Sequence, residues 1–330
     1  MKTNANGRTL PLLYFGTLLL SVAMIVYVGA LCFSILRLVL RLGEPWLYWN
    51  NRMIWYSGLP ATVGLLLVAL DFLLQFPEKR RSACRPVAGP AINRRLTVAL
   101  TAFNDELSIA QAVRDFLNHP LVDRVIVVDN NSTDSTGEEA QSAGAQVVLE
   151  PQPGYGHCVY RCFSEALLHV NELIVLCEGD CTFRAHDVDK LLAYIDHANI
   201  VNGTRIVEQL REQSTQLSVF MYHGNFFVGK LLEFKHLGKG TFTDVGTTYK
   251  LMRRSSLERL MPLLNPSGVN LEFNAHFLDI ALAAGEPIVE APITFHKRVG
   301  LSKGGNTNNL RALTVGLAMI RGLTFGWKSQ

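Results

Sequence analysis

Glu178-Gly179-Asp180 sets two carboxylates at the end of an apolar run, Leu173–Cys177. Like charges so close are costly unless a proton or a cation offsets them. A Mg²⁺ or Mn²⁺ held by one or two carboxylates and substrate phosphates answers that need. Gly179 lets a phosphate or sugar approach the backbone. An acidic loop without a ligand would carry the same residues. Asp129-Asn130-Asn131-Ser132-Thr133-Asp134 ends a second apolar run, Val125–Val128. Its first carboxylate could accept from a base imide or a ribose hydroxyl, while Asn and Ser supply turn chemistry. A plain strand-to-helix turn with Ser132 or Asp134 as N-cap fits equally. Pro153-Gly154-Tyr155-Gly156 opens a helix whose first amides could face an anion. Near the C-terminus, Lys297, Arg298 and Lys303 lie among Gly300, Gly304 and Gly305. An Arg fork with Lys point charges suits phosphate; a solvated basic loop is the plainer alternative. Cys158/Cys162 and Cys177/Cys181 lack the usual zinc spacing. Six cysteines in 330 residues make no disulfide framework.

These clusters sit on alternating elements. Leu96–Ala102 reads as a strand, Ser108–Asn118 as a helix, and Val125–Val128 as a short strand. Ser135–Ala143 is helical, Gln146–Leu149 a strand, Cys158–Val170 a helix and Leu173–Cys177 a strand. Continuous apolar strands between helices predict a mostly parallel sheet covered on both faces. Ligands on such sheets bind beyond the carboxyl ends of the strands. The polar clusters Thr101–Asp105, Asp129–Asp134 and Glu178–Thr182 fall at those ends. Neither G-x-G-x-x-G nor G-x-x-x-x-G-K-[ST] occurs, which argues against a dinucleotide enzyme or a P-loop NTPase.

Only 18% of the residues are charged, below the quarter usual in soluble domains. Thr9 to Leu36 is an uncharged run of 28, and Met53 to Leu70 one of 18. Both approach or exceed the ~20 residues that cross a bilayer core. The expectation is a hairpin in residues 1–78, with spans about 11–36 and 54–76 and an aromatic interfacial turn at Gly43–Trp49. Asp71 is expected to reach from the second span to the interface. A basic linker, 79–95, follows with Lys79, Arg80, Arg81, Arg85, Arg94 and Arg95, so both ends face the cytoplasm. The net charge of +3 is too balanced for nucleic acid as a partner. Leu310–Trp327, interrupted by Arg321, suits an amphipathic interfacial helix within a tail, 306–330.

With these residues in view, the chain resembles the family 2 glycosyltransferases of GT-A fold, and among them the polyprenyl-phosphate glycosyltransferases such as dolichyl-phosphate mannose synthase. The resemblance covers about Leu96 to Lys303. It is carried by Thr101–Glu106, Val127–Asp134, Gly154-Tyr155-Gly156, Glu178-Gly179-Asp180, Asn202–Arg205, Asp244–Tyr249 and Glu290–Lys303. It implies an α/β, Rossmann-like catalytic domain over 96–305, in an integral membrane enzyme whose catalytic domain is cytoplasmic. The implied reaction is an inverting transfer of one sugar from a nucleotide-sugar donor to a polyprenyl phosphate at the bilayer. By position, Thr101, Phe103, Asp105, Asp129, Asn131, Gly154, Tyr155, Gly156 and Glu178 would hold the donor. Glu178 and Asp180 would bind Mg²⁺ or Mn²⁺, and Asp180 and Asp244 would be catalytic, Asp244 beside the sugar. Arg205, Arg298, Ser302 and Lys303 would take donor or acceptor phosphate. Asp129-Asn130 replaces the family's paired aspartates, Glu178 replaces its first metal aspartate, and the hairpin precedes the catalytic domain. Glu178→Asp would accordingly be tolerated. A lipid or glycan hydroxyl as acceptor, with Asp244 as base, stays open, as do self-association and a non-catalytic membrane scaffold.

Overall fold

The computed structural model describes residues 11–75, 89–91, 93–213, 215–300 and 308–327. The chain forms two compact units.

The first is a helical hairpin of α1 (Leu12–Val39) and α2 (Glu44–Leu70), α2 ending in a π-helical turn, Asp71–Gln75. Both helices are long and apolar enough to cross a membrane. The second begins ten residues before the expected span. Glu44 and Pro45 start it as first-turn residues, so Trp46, Tyr48 and Trp49 lie on the helix rather than in a turn. The packing seam is small and polar: Gly16, Ala23 and Ala30 on α1 are buried, as are Asn50, Ser57 and Gly64 on α2. The seven-residue spacing on both helices keeps one stripe at the contact. The backbones of Gly16 and Gly64 touch, and a Cβ on either would collide with the other's carbonyl oxygen. Small residues at such seams let helices approach where apolar burial between them contributes little. Asp71 continues the α2 series and is buried, correcting the expectation that it reaches the interface. Its Oδ2 accepts from Leu13 N at 3.0 Å, satisfying one of the first amides of α1, which have no partner within that helix.

The second unit is a seven-stranded sheet with helices on both faces. In chain order its elements are β1 (Leu96–Ala102), α3 (Ile109–Leu117), β2 (Val122–Asp129), α4 (Thr136–Ser142), β3 (Gln146–Leu149), α5 (Tyr155–Leu167) and β4 (Leu173–Glu178). There follow α6 (Asp187–Tyr194), β5 (Ile200–Thr204), α7 (Val219–Lys235), β6 (Lys250–Arg253), α8 (Arg254–Leu260), α9 (Phe273–Ala283), β7 (Ile288–Pro292) and α10 (Asn309–Phe325). The strand order is β3-β2-β1-β4-β6-β5-β7. Every pair is parallel except those of β6, which runs antiparallel to β4 and β5. All seven residues of β1 are buried, as a strand covered on two faces requires. Leu96, Val98, Leu100 and Ala102 share one core with Ile109, Val113 and Phe116 of α3 and Val188 and Leu191 of α6. Their neighbours face α5, which joins α9 through Phe163 and Phe277, ring centroids 5.4 Å apart. The helix expected at Cys158–Val170 starts at Tyr155, because Gly154 at φ 124° turns the chain into its first turn.

The end of α10 is fastened to α9. Trp327 Nε1 donates to Asp279 Oδ2 at 2.7 Å, and its ring lies 5.1 Å from that of His276. His276 Nε2 accepts from Asn265 N at 3.1 Å, which leaves its protonated Nδ1 buried with no partner. Burial lowers the pKa of His276 to about 4 from 6.5. The unfolded chain therefore binds this proton between pH 6.5 and 4 while the native state does not, so stability falls as pH drops through that window. His276→Gln keeps an acceptor for Asn265 N. Between pH 7 and pH 5 it should lose up to about 2 kcal/mol less stability than the parent, read by thermal melts.

Candidate active site

The ends of β1, β2 and β4 open into one cavity of about 460 Å³. Thr101, Phe103, Asp105, Asn131, Gly154, Tyr155, Glu178, Asp180, Arg205 and Arg298 line it. Of the remaining expected residues, Asp129, Gly156 and Asp244 stand behind the wall, and Ser302 and Lys303 lie outside the described residues.

Asp129 Oδ1 accepts from Ser132 N at 3.0 Å and holds the strand-to-helix turn, whose N-cap is Ser135 rather than Ser132 or Asp134. Asn131, at φ 62°, donates through Nδ2 to the carbonyls of Glu150 and Pro151, each at 3.1 Å. Asn130 does more than its sequence suggests. Its Nδ2 donates to Glu150 O at 3.1 Å and Gln152 O at 2.6 Å, and its Oδ1 accepts from Gly154 N at 2.8 Å. An aspartate could not donate to those carbonyls, which accounts for the amide where the family pairs two aspartates. Asn130→Asp should cost about 1–3 kcal/mol, because a buried carboxylate oxygen would face the Glu150 and Gln152 carbonyls with no hydrogen to donate. Calorimetry should read this as a fall in melting temperature of about 2–4 °C per kcal/mol. Gly156 packs against the backbone: a Cβ there would overlap the carbonyl oxygens of Val269 and Pro266. Its role is close packing of the α5 N-terminus.

Glu178 and Asp180 differ in their surroundings. Asp180 is buried; its Oδ1 accepts from Thr182 N at 2.9 Å and Thr182 Oγ1 at 2.5 Å. Its Oδ2 faces Arg298 NH1 at 2.8 Å, and Arg298 NH2 reaches Asp105 Oδ1 at 2.7 Å. Arg298 is held there by its own loop, since Val299 N donates to Asp180 O and His296 N to Thr182 O. Glu178 Oε1 accepts from Thr248 Oγ1 at 2.6 Å. Burial, and then the charge of Asp180, push the Glu178 pKa up to about 7. Two desolvated carboxylates, one already paired with a cation's surrogate in Arg298, fit a divalent ion. Among the described residues no third His, Cys, Asp or Glu joins them. Diphosphate oxygens and water would complete such a shell.

Asp244 departs from expectation. It is fully buried and accepts from Arg205 Nε at 2.7 Å and NH2 at 2.8 Å, from Arg205 N at 3.1 Å and from Gly246 N at 3.1 Å. Burial raises its pKa, but the Arg205 charge and hydrogen bonds outweigh that and hold it below the usual carboxylate range. Asp244 is thus Arg205's anchor and not a base beside a sugar. Among the described residues, the acidic side chains that line the cavity are Asp105, Glu178 and Asp180, and no histidine does.

Phe220, Met221 and Val228 of α7 and Ala312, Val315 and Met319 of α10 give the cavity an apolar stretch, interrupted by Asn225 and Arg311 of the same helices. On the same helices Val219, Leu310, Leu313, Leu317 and Phe325 are exposed. No motif signalled α7. The four cysteines Cys158, Cys162, Cys177 and Cys181 are buried free thiols.

The sequence model described as Glycosyl transferase family 2 matches residues 97–261, half of the chain. An uncharacterised glycosyltransferase of Mycobacterium tuberculosis is 38% identical over 120 residues, covering 36% of this chain and 50% of its own length. The low-salt glycan biosynthesis hexosyltransferase of Haloferax volcanii is 28% identical over 212 residues, 62% of this chain and 48% of that one. The chain thus spans about half the length of these curated relatives. Glucosyl-3-phosphoglycerate synthase of Mycobacterium tuberculosis, crystallised with Mn²⁺, UDP and phosphoglyceric acid, superposes with a TM-score of 0.49 at 19% identity, covering 72% of this chain and 80% of its own.

Proposed function

Since the chain belongs to glycosyl transferase family 2, we propose that this glycosyltransferase moves one sugar from a nucleotide-sugar to a polyprenyl phosphate at a membrane. The observation that carries the reading is the mixed lining of the cavity. Glu178, Asp180 and Arg298 supply charged lining, and α7 and α10 supply a mostly apolar stretch. A charged headgroup and a hydrocarbon chain need both kinds of surface in one cavity.

The commitment of Asp244 to Arg205 supports the same acceptor. A hydroxyl nucleophile needs a general base, and Asp244 is locked to Arg205. A phosphate oxygen is already ionised and needs none. Asp180 and Glu178 would hold a Mg²⁺ or Mn²⁺ with the donor diphosphate, which offsets charge on the departing nucleoside diphosphate. Phe103, half-exposed at the rim, offers a face to the base or ribose. Tyr155 and Arg205 also line the cavity and would border the sugar. Arg298 exchanges Asp180 for phosphate and pairs with it by charge-assisted hydrogen bonds. The attack inverts the anomeric carbon in a single displacement.

The hairpin spans the bilayer in this reading, with the catalytic unit cytoplasmic and α10 lying in the interface. The exposed apolar residues of α10, with Arg311 and Arg321, suit that depth. The basic cluster Lys79–Arg85 lies outside the described residues. The test incubates membranes containing the protein with polyprenyl phosphate, Mg²⁺ or Mn²⁺, and a panel of radiolabelled nucleotide sugars. Label should enter an organic-soluble, mild-acid-labile product. Label found only in water-soluble or hydroxyl-linked glycan would overturn the acceptor. Protease protection of the catalytic unit in inside-in vesicles is the expected topology result, and digestion there would overturn the orientation.

A further inference from the structure

Lys250 opens β6 with no exposed surface. Its Nζ donates to Thr247 O and, at 3.0 Å, to Asn274 Oδ1. No carboxylate forms an ion pair with it among the described residues, and burial drives its pKa down to about 7 against the opposing charges of Asp244 and Glu178. An isolated buried ammonium is an expensive residue to keep, and the reaction outlined above gives it no task.

From Lys250 a chain of hydrogen bonds runs to the acidic pair. Asn274 Nδ2 donates to the Tyr155 hydroxyl at 3.0 Å. The Tyr155 and Thr248 hydroxyls are 2.5 Å apart, and Thr248 Oγ1 donates to Glu178 Oε1 at 2.6 Å. An ammonium only donates and an ionised carboxylate only accepts. With Lys250 charged and Glu178 ionised, the groups between them each accept from the lysine side and donate toward the glutamate. A flipped Asn274 would aim its amide hydrogens at the ammonium. Bonds aligned in one direction polarise one another. The sheet imposes the geometry: Leu176 pairs with Lys250 across the antiparallel β4–β6 ladder, which brings Thr248 alongside Glu178. Oε1 is thereby pinned, and no hydrogen bond from a described residue reaches Oε2.

We propose that Lys250 is a positioning residue which, through Asn274, Tyr155 and Thr248, orients the Glu178 carboxylate for the divalent cation. The proposal rests on the metal reading of Glu178 and Asp180 given under Proposed function. Charge and orientation predict opposite signs for its removal. Losing a buried positive charge near two carboxylates would, by charge alone, tighten cation binding. Losing the chain would weaken it, as removal of groups that orient metal ligands does by about 10–100-fold.

The experiment titrates the full-length protein in detergent with Mn²⁺ alone, reading free Mn²⁺ by electron paramagnetic resonance. Lys250→Met should weaken binding about tenfold, at the low end of that range. Tyr155→Phe, which removes the shorter link with no change of charge and leaves only the 3.4 Å bond from Asn274 Nδ2 to Thr248 Oγ1, should weaken it to a similar degree. The double variant should lie within about twofold of either single one, because both break the same unit. Unchanged or tighter binding in Lys250→Met, or losses that multiply in the double variant, would overturn the proposal. If Lys250→Met does not fold, Asn274→Asp takes its place: it can pair with Lys250 but cannot donate to Tyr155. The same loss is expected from it despite the added negative charge, and unchanged or tighter binding would overturn the proposal. Asp180→Asn separates the two readings. If it abolishes Mn²⁺ binding while Lys250→Met leaves it intact, the chain alone is wrong. If Asp180→Asn also binds Mn²⁺ like the parent, the metal reading is wrong and the proposal falls with it.

Discussion

Asp180→Asn is expected to lower turnover by about 10²–10³-fold, or roughly 2.7–4 kcal/mol of transition-state stabilisation, while the protein still folds. The amide oxygen can still accept from Thr182 N and Oγ1, so the turn after β4 survives. What changes is the other arm. Asp180 Oδ2 faces Arg298 NH1, and an amide nitrogen there would set donor against donor and offer no ligand to a cation. Turnover with Mg²⁺ as sole cation, together with a melting curve, measures both halves. Near-parental turnover would remove Asp180 from the cation site. Glu178→Asp is also expected to reduce turnover, contrary to the resemblance. The shorter side chain withdraws its carboxylate from the Thr248 hydroxyl, which now bonds Glu178 Oε1 at 2.6 Å.

Arg298→Ala should raise the acceptor KM about ten- to a hundredfold. A charge-assisted hydrogen bond to phosphate is worth roughly 1.5–3 kcal/mol, at 1.4 kcal/mol per decade. The same change should tighten Mn²⁺ binding, since Arg298 occupies the Asp180 oxygen that a cation would take. Acceptor and cation affinities moving in opposite directions identify a shared residue; uniform loss would mark general disruption. A short-chain polyprenyl phosphate in detergent isolates the acceptor effect from membrane attachment. If the defect vanishes there, Arg298 only holds its loop to anionic lipid.

The fold was legible because it depends on local signals. Apolar runs of strand length, polar clusters at their ends and intervening helical spacing specify a covered parallel sheet whatever the rest of the chain does. The convergence of Asp105, Glu178 and Asp180 followed, since residues at the carboxyl ends of such strands meet by topology, whereas Arg298 arrives on a loop after the last strand. The hairpin was equally local in its apolar length. Its second helix was not, because Glu44 and Pro45 extend it through residues that composition alone assigns to a turn.

Side-chain commitment was the part that no run of residues announced. Asp244 looks like a base in the sequence, and only the return of β5 beside β6 brings Arg205 onto both its oxygens. Asn130 looks like a weakened aspartate until the 150–154 loop supplies the carbonyls that need its amide. Lys250 and Asn274 carried no signal at all, being 24 positions apart and joined to Glu178 only through an antiparallel pairing. Periodicity reports which face of an element is buried. Which polar partner a buried group meets depends on strand order and register, and these are set by contacts far apart in the chain.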